Sequence, residues 1–359
     1  GVGWYDIDGD GWEELLVAGG RGGGLGVLRV QQSSQGSVWS AVTNAPIASG
    51  DQGAVMGWPD GLGGRRVLVS VSNGEIPPGS LSKLEVYSNG AWAQPQTLPS
   101  GTNAIGALVS MDVDGDGDLD LYVCAFDAAN RLYFNEKGVF KECAEEAGLN
   151  FKGFSVNMAF ADYDLDGDLD GYLLTNRPFS PEENYSVSDR ATANRVYRQL
   201  QKDAKGNFIM PEHLREIFEV VWNPTGQMQM FIRAGQYDYL YRNDGPAKEG
   251  GVPRFTDVTE AAGLKDNGMG LSATWFDYDA DGYPDLFVAN DYYGADHLFR
   301  NDGDGTFSEV TLETLPHTPW YSMGSNVADL NNDGLLDFMG SDMMGTNHFR
   351  QKVGMGNMS

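Results

Sequence analysis

The sequence predicts an all-β protein: a seven-bladed β-propeller of four-stranded antiparallel blades, with calcium loops and a partly helical insertion, filling residues 1–359 as a single domain. Three observations predict it. A nine-residue acidic loop recurs five times, short apolar segments of strand length flank every copy, and the copies are spaced by one or nearly two multiples of about 50 residues. A β-solenoid is the competing repeat architecture, but its repeat is usually far shorter.

The loops start at residues 6, 112, 162, 277 and 329, so the gaps are 106, 50, 115 and 52. Two gaps equal one repeat and two approach a double repeat, which places degenerate copies near residues 58 and 220. Near 58 stand Val55-Met56-Gly57-Trp58-Pro59 and then Arg66-Val67-Leu68-Val69. Near 220 stand Val220-Val221-Trp222 and then Gln229-Met230-Phe231-Ile232-Arg233. Both keep strand, turn and strand while losing the carboxylates, giving seven units of about 52 residues. After the strand that follows each loop comes another, as in Arg131-Leu132-Tyr133-Phe134-Asn135, Tyr239-Leu240-Tyr241-Arg242 and His297-Leu298-Phe299-Arg300. A short fourth follows, as in Gly138-Val139-Phe140-Lys141-Glu142-Cys143, Phe255-Thr256-Asp257-Val258-Thr259 and Phe307-Ser308-Glu309-Val310-Thr311. Asn-Asp-Gly between such runs is a hairpin signal, because Asn and Gly accept positive φ.

Within each loop, carboxylates at positions one, three, five and nine converge on one small volume. Such a cluster repels itself unless a hard cation gathers it, and Ca²⁺ takes six to eight oxygens. The expected ligands of the first loop are Asp6, Asp8, Asp10 and Glu14, with the Trp12 carbonyl from position seven. In the second they are Asp112, Asp114, Asp116 and Asp120 with Asp118; in the third, Asp162, Asp164, Asp166 and Asp170 with Asp168. The fourth has Asp277, Asp279, Asp281 and Asp285 with Tyr283, and the fifth Asp329, Asn331, Asp333 and Asp337 with Leu335. Glycine occupies position six in all five loops, where the chain must turn sharply. The loop is not an EF-hand, which has twelve residues, closes on Glu and lies between helices. Mg²⁺ would demand a tighter octahedron, so up to five Ca²⁺ are expected, the fifth more weakly held because Asn331 removes a charge. Identical repetition of every site argues for a structural ion, since a catalytic metal is normally unique and keeps an open position.

The composition fits this reading. Hydrophobic content of 41% and aromatic content of 11% supply a core. A formal charge of −27 excludes nucleic acid and argues against anionic membranes. Five Ca²⁺ would bring it only to about −17. Nothing resembles a membrane span or signal peptide, and the chain opens on Gly1, as a processed or trimmed product would. Cys124 and Cys143 fall on the second and fourth strands of one blade, roughly 9–10 Å apart. A disulfide needs Cα atoms closer than about 7 Å, so two free, largely buried thiols are expected.

Residues 178–219 interrupt the pattern with a long connection and expected short helices at Ser180-Pro181-Glu182-Glu183 and Pro211–Phe218. Insertions on a rigid repeat scaffold often carry recognition. His213, His297, His317 and His348 are scattered, with no zinc spacing and no acid–base cluster, so no catalytic residue is assigned. Strand packing is the expected role of His297 and His348. Asn184-Tyr185-Ser186 and Asn357-Met358-Ser359 fit the glycosylation acceptor pattern, relevant in a eukaryotic secretory host.

The loops at Asp112, Asp162, Asp277 and Asp329, with their flanking strands, resemble FG-GAP/VCBS repeats, as in the integrin α-subunit propeller. The segments Phe140–Leu149 and Phe255–Leu264 look like the narrower cartilage-acidic-protein-like, ASPIC/UnbV-associated group. The resemblance implies a secreted or surface-exposed (or periplasmic) propeller used for adhesion or assembly, with a protein or glycan partner. The chain departs from the group in having no ASPIC-like domain after the repeats and no evident fourth strand in its last unit. A non-catalytic calcium-binding module is therefore the leading expectation. The alternatives are a structural subunit of a larger surface assembly, and a propeller enzyme of the polysaccharide lyase or sugar dehydratase type.

Overall fold

The computed structural model describes residues 2–20, 22–33, 36–41, 50–59, 64–72, 83–88, 91–93, 104–137, 139–176, 201–202, 208–209, 219–222, 228–232, 236–248, 251–266, 268–291, 295–319 and 321–343. Among them the fold is all-β, in antiparallel sheets, with three one-turn helices. The chain divides into two compact units, Gly1–Leu173 with Tyr241–Asp257, and Leu174–Leu240 with Val258–Ser359.

Each acidic loop joins the first two strands of a meander. The first meander is β1 (Val2–Tyr5), β2 (Glu14–Val17), β3 (Gly26–Ser33) and β4 (Gly36–Ala41), and the second is β5 (Asp51–Pro59), β6 (Arg65–Ser72), β7 (Lys83–Ser88) and β8 (Ala91–Ala93). The second is the eroded copy expected near residue 58. In the third, β9 (Ala104–Met111), β10 (Asp120–Ala129), β11 (Arg131–Glu136) and β12 (Val139–Glu142) pair in order, and helix α1 (Ala144–Ala147) follows.

The fourth meander corrects the repeat count. β13 (Lys152–Ala161) and β14 (Asp170–Thr175) are followed by two small hairpins, β15 (Gln201–Lys202) with β16 (Phe208–Ile209), and β17 (Glu219–Trp222) with β18 (Met228–Ile232). β19 (Tyr239–Pro246) and β20 (Pro253–Asp257) then join β14, not the hairpin near 220. The strands assigned to a separate unit near residue 220 thus complete the fourth meander, and seven four-stranded units are not found among the described residues. The gap of 115 between the third and fourth loops is one repeat plus an insertion, a division that spacing alone cannot distinguish from two repeats. The expected helices at 180–183 and 211–218, His213, His348 and both glycosylation patterns lie outside the described residues.

Helix α2 (Thr259–Ala262) leads to the fifth meander, β21 (Gly270–Phe276), β22 (Asp285–Asn290), β23 (His297–Asn301) and β24 (Phe307–Glu309). Helix α3 (Thr311–Thr314) and the hairpin β25 (Ser322–Ala328) with β26 (Asp337–Asp342) complete the described chain.

Successive meanders share cores. Leu16, Leu25 and Val27 of the first pack with Val55, Val67 and Val69 of the second. Trp58, Leu68, Leu84 and Val86 of the second meet Leu121, Val123 and Tyr133 of the third. In the other compact unit, Phe338 of β26 packs with Phe276 and Phe287 of the fifth. Central strands covered on both faces read as continuous apolar runs, and every residue of β14 and β22 is buried. Two helical turns make a repeated joint. Gly148 and Gly263 close α1 and α2 at φ of +82° and +79°, a conformation a side chain would resist. A Cβ there would also lie 2.9 Å from the Phe255 carbonyl or 3.2 Å from that of Phe307, on the fourth strand of the following meander.

Cys124 and Cys143 are free and buried, as expected. Cys143 stands one residue beyond β12, at the start of α1. Burial pushes its thiol up to about 12 and that of Cys124 higher still. His297 stacks on Phe299 of the same strand, 3.8 Å from Asp266 and 3.7 Å from Glu309. His317 is exposed.

Candidate metal centres

Backbone N–H groups hold the loop carboxylates in place. The two Asp112 oxygens accept from Asp116 at 3.0 Å and Gly117 at 2.9 Å. Asp162, Asp277 and Asp329 repeat the pair with Asp166 and Gly167, Asp281 and Gly282, and Asp333 and Gly334. The position-five carboxylates Asp10, Asp116, Asp166, Asp281 and Asp333 accept from the N–H of Trp12, Asp118, Asp168, Tyr283 and Leu335, two residues on. The position-six glycines, Gly11, Gly117, Gly167, Gly282 and Gly334, lie at φ between +84° and +99°. Position four is left-handed too, with Leu165, Ala280 and Asn332 at +61° to +62°, a strain each costing on the order of 1–2 kcal/mol. The sequence reading missed that position, because no single residue type marks it.

Position nine ties the loop to its sheet. Asp120 accepts from Val113 N–H at 2.9 Å with one oxygen and from Asn135 N–H on β11 at 2.9 Å with the other. Asp170 does the same with Tyr163 and Asn243, and Asp285 with Tyr278 and Asn301. Asn135, Asn243 and Asn301 answer by donating their side-chain amides to the carbonyls of Leu119, Leu169 and Pro284. From sequence, Asn243 and Asn301 read only as turn formers and Asn135 only as the end of a strand. Their signal was distance, since Asn135 lies 15 and Asn301 16 residues beyond its position-nine acid. Asn243 lies 73 beyond Asp170, and the insertion hid it.

Four groups of acids bring one oxygen each within 4.8 Å of one another: Asp6, Asp8 and Asp10; Asp112, Asp114 and Asp120; Asp162, Asp164 and Asp170; Asp277, Asp279 and Asp285. Position five stands outside the second to fourth groups, and Glu14 outside the first. Burial, resisted by the N–H bonds and aided by neighbouring aspartates, pushes Asp120 and Asp170 up to about 7 and Asp285 to about 6. Burial and the adjacent Asp116 or Asp166 also raise Asp114 and Asp164. Asp164 Oδ1 is a buried oxygen without a hydrogen-bond partner. All-oxygen donors, a surplus of negative charge and an orphaned carboxylate oxygen suit a hard divalent cation.

The first and fifth loops differ. In the first, the Arg29 guanidinium lies against Asp8 while its Nε donates to Glu14 at 3.0 Å. Arg65 pairs with Asp6 at 3.2 Å. The fifth is exposed except at the half-buried Asp337, and the Asn331 amide donates to Asp333 at 2.9 Å.

This geometry defines a class of protein: antiparallel meanders whose first two strands are joined by an acidic nine-residue loop. The FG-GAP-like repeat family matches residues 112–173 and 277–339. The chain is also similar to cartilage acidic protein 1. The Xenopus tropicalis protein is 25% identical over 273 residues, 68% of this chain and 41% of that protein. The Homo sapiens protein is 24% identical over 254 residues, 64% of this chain and 38% of the relative. The chain thus spans about two fifths of the length of the curated relatives it matches. The solved structure of an Agrocybe aegerita lectin aligns over 95% of this chain and 74% of its own, at 15% identity and a TM-score of 0.46. That likeness is too loose to bear on function.

Proposed function

We propose that this chain is a non-catalytic β-propeller module in which Ca²⁺ staples the first two strands of its acidic blades, and which binds a protein or glycan outside the cytoplasm. The observation that carries the metal reading is the recurrent cluster itself, with its orphaned Asp164 oxygen inside a hydrogen-bonded frame. In the second, third and fourth loops, positions one, three and nine hold the ion, with position five and the position-seven carbonyl as further oxygen donors. A bound cation supplies the positive charge these buried carboxylates lack, which fixes the turn and through it the third strand.

The same loops support the extracellular compartment. Partly exposed sites of this kind suit the submillimolar-to-millimolar affinities of extracellular modules, which cytosolic calcium would leave empty. Among the described residues no helix is long and apolar enough to cross a membrane. The FG-GAP-like repeats and the similarity to cartilage acidic protein 1 support a binding role. Each loop repeats its neighbours' chemistry, which supports a structural ion over a catalytic one. The test is glycan-array and pull-down screening, with calcium and with EGTA. Calcium-dependent capture of a defined protein or glycan is the expected result. Turnover of a captured polysaccharide would overturn the non-catalytic reading.

A further inference from the structure

The strand register makes Arg29, Arg242 and Arg300 equivalent. Each lies on the third strand of its meander, opposite Ser40, Thr256 and Ser308 of the fourth. Their partners differ. Arg242 donates through Nε at 2.8 Å and a terminal nitrogen at 2.7 Å to Asp244, two residues on. Arg300 does so to Asp302, at 3.2 Å and 2.8 Å. The second oxygen of each aspartate accepts from the facing hydroxyl, Thr256 or Ser308. This fork commits the hydrogen bonds of the guanidinium to the hairpin aspartate, leaving a charge interaction but no hydrogen bond or ion pair with Asp164 or Asp279 of the loop. Arg29 has no such restraint in sequence, because the residue two positions on is Gln31 and not Asp. Its guanidinium turns instead onto Asp8 and Glu14, the third and ninth positions of its own loop. The third meander carries Phe134 at this position and so has no arginine there.

We infer that the third-strand arginine decides whether a loop takes a metal ion. Held by the aspartate two residues on, it leaves the third and fourth loops open to a divalent cation. Unheld, in the first meander, it supplies the positive charge itself, and the first loop binds no ion although Asp6, Asp8 and Asp10 lie within ligand reach of one another. A guanidinium between two carboxylates occupies the volume the ion needs and repels it. Glu14 belongs to the same design: one methylene longer than the aspartate elsewhere, it reaches Ile7 N–H at 3.1 Å and the arginine with its other oxygen. Arg65, paired with Asp6, completes a loop stapled without metal.

This inference rests on the calcium reading of the other loops, and the experiment separates the two. Calcium stoichiometry is counted by native mass spectrometry on the whole chain and on Asp114→Asn, Asp8→Asn, Arg29→Gln and Asp302→Ala. Asp114→Asn should lose one ion, which tests the shared calcium reading, whereas Asp8→Asn should lose none. Arg29→Gln should gain one. Asp302→Ala should bind its fourth-loop ion roughly tenfold more weakly, as the freed Arg300 competes for the carboxylates. An ion lost from Asp8→Asn would overturn the inference while leaving the calcium reading intact, and it is read with Arg29 in place, whether or not Arg29→Gln folds. An unchanged affinity in Asp302→Ala would overturn the role given to the restraining aspartate. A wild-type chain that binds no calcium would overturn both.

Discussion

At the residue scale the decisive group is the position-nine carboxylate. Asp170 is buried, and its two oxygens serve backbone N–H groups 7 residues before it and 73 residues after it. Asp170→Asn keeps the shape but turns an NH₂ toward one of those donors. Leaving that buried N–H unpaired should cost about 1–3 kcal/mol in a denaturation experiment with EGTA present. A change within error would show that the tie does not hold the meander. The same carboxylates set the pH response. Asp120 and Asp170 titrate at about 7 in the fold, chiefly because they are buried, and near 4 in the unfolded chain. As pH rises between those values the unfolded chain releases its protons first, so the fold loses stability. In EGTA the melting temperature should therefore fall from pH 5 to pH 8, and the gain on adding calcium should be larger at pH 8. Melting in EGTA that rises over this range would contradict the assignment.

At the element scale the meander is the unit, and its legibility varied with how local the signals were. The acidic loops, their glycines and the apolar runs beside them are contiguous, so the first two strands of each acidic meander were readable from sequence. The eroded copy at β5 and β6 was found through spacing. The ownership of β19 and β20 was not, because it rests on Asn243 reaching Asp170 across an insertion. Nor was the restraint of Arg242 and Arg300, where a hairpin aspartate serves a side chain instead of the turn. The structure shows why an insertion fits where it does. Thr175 N–H donates to Asp238 at 2.6 Å and Gln236 N–H to the Asn176 carbonyl at 3.2 Å, so the segment leaves and returns at one place. Replacing residues 177–235 with a short Gly-containing turn should preserve the fourth meander and the number of ions bound, since the segment leaves and returns at one place. Loss of folding in circular dichroism would show that the inserted segment is part of the scaffold. Loss of ligand capture with folding intact would place recognition there.

At the scale of the whole molecule, the repeats turn a charge problem into a stabilising device. A chain of formal charge −27 gathers its loop carboxylates in triples, with one buried member in each of the second to fourth loops, a crowding that a cation relieves. On the proposed reading calcium fills that role in the second to fourth loops and arginine in the first, which would give the protein ion-dependent and ion-independent staples together. Ligands that bind only the folded chain stabilise it by mass action. The measurement that reaches this claim most directly is thermal unfolding at neutral pH in millimolar calcium and in excess EGTA. Three sites of submillimolar-to-millimolar affinity, in calcium at about one to ten times their dissociation constants, would contribute roughly 0.4–1.4 kcal/mol apiece, so the melting temperature should rise by a few degrees with calcium. An identical melting temperature in the two solutions would contradict the account.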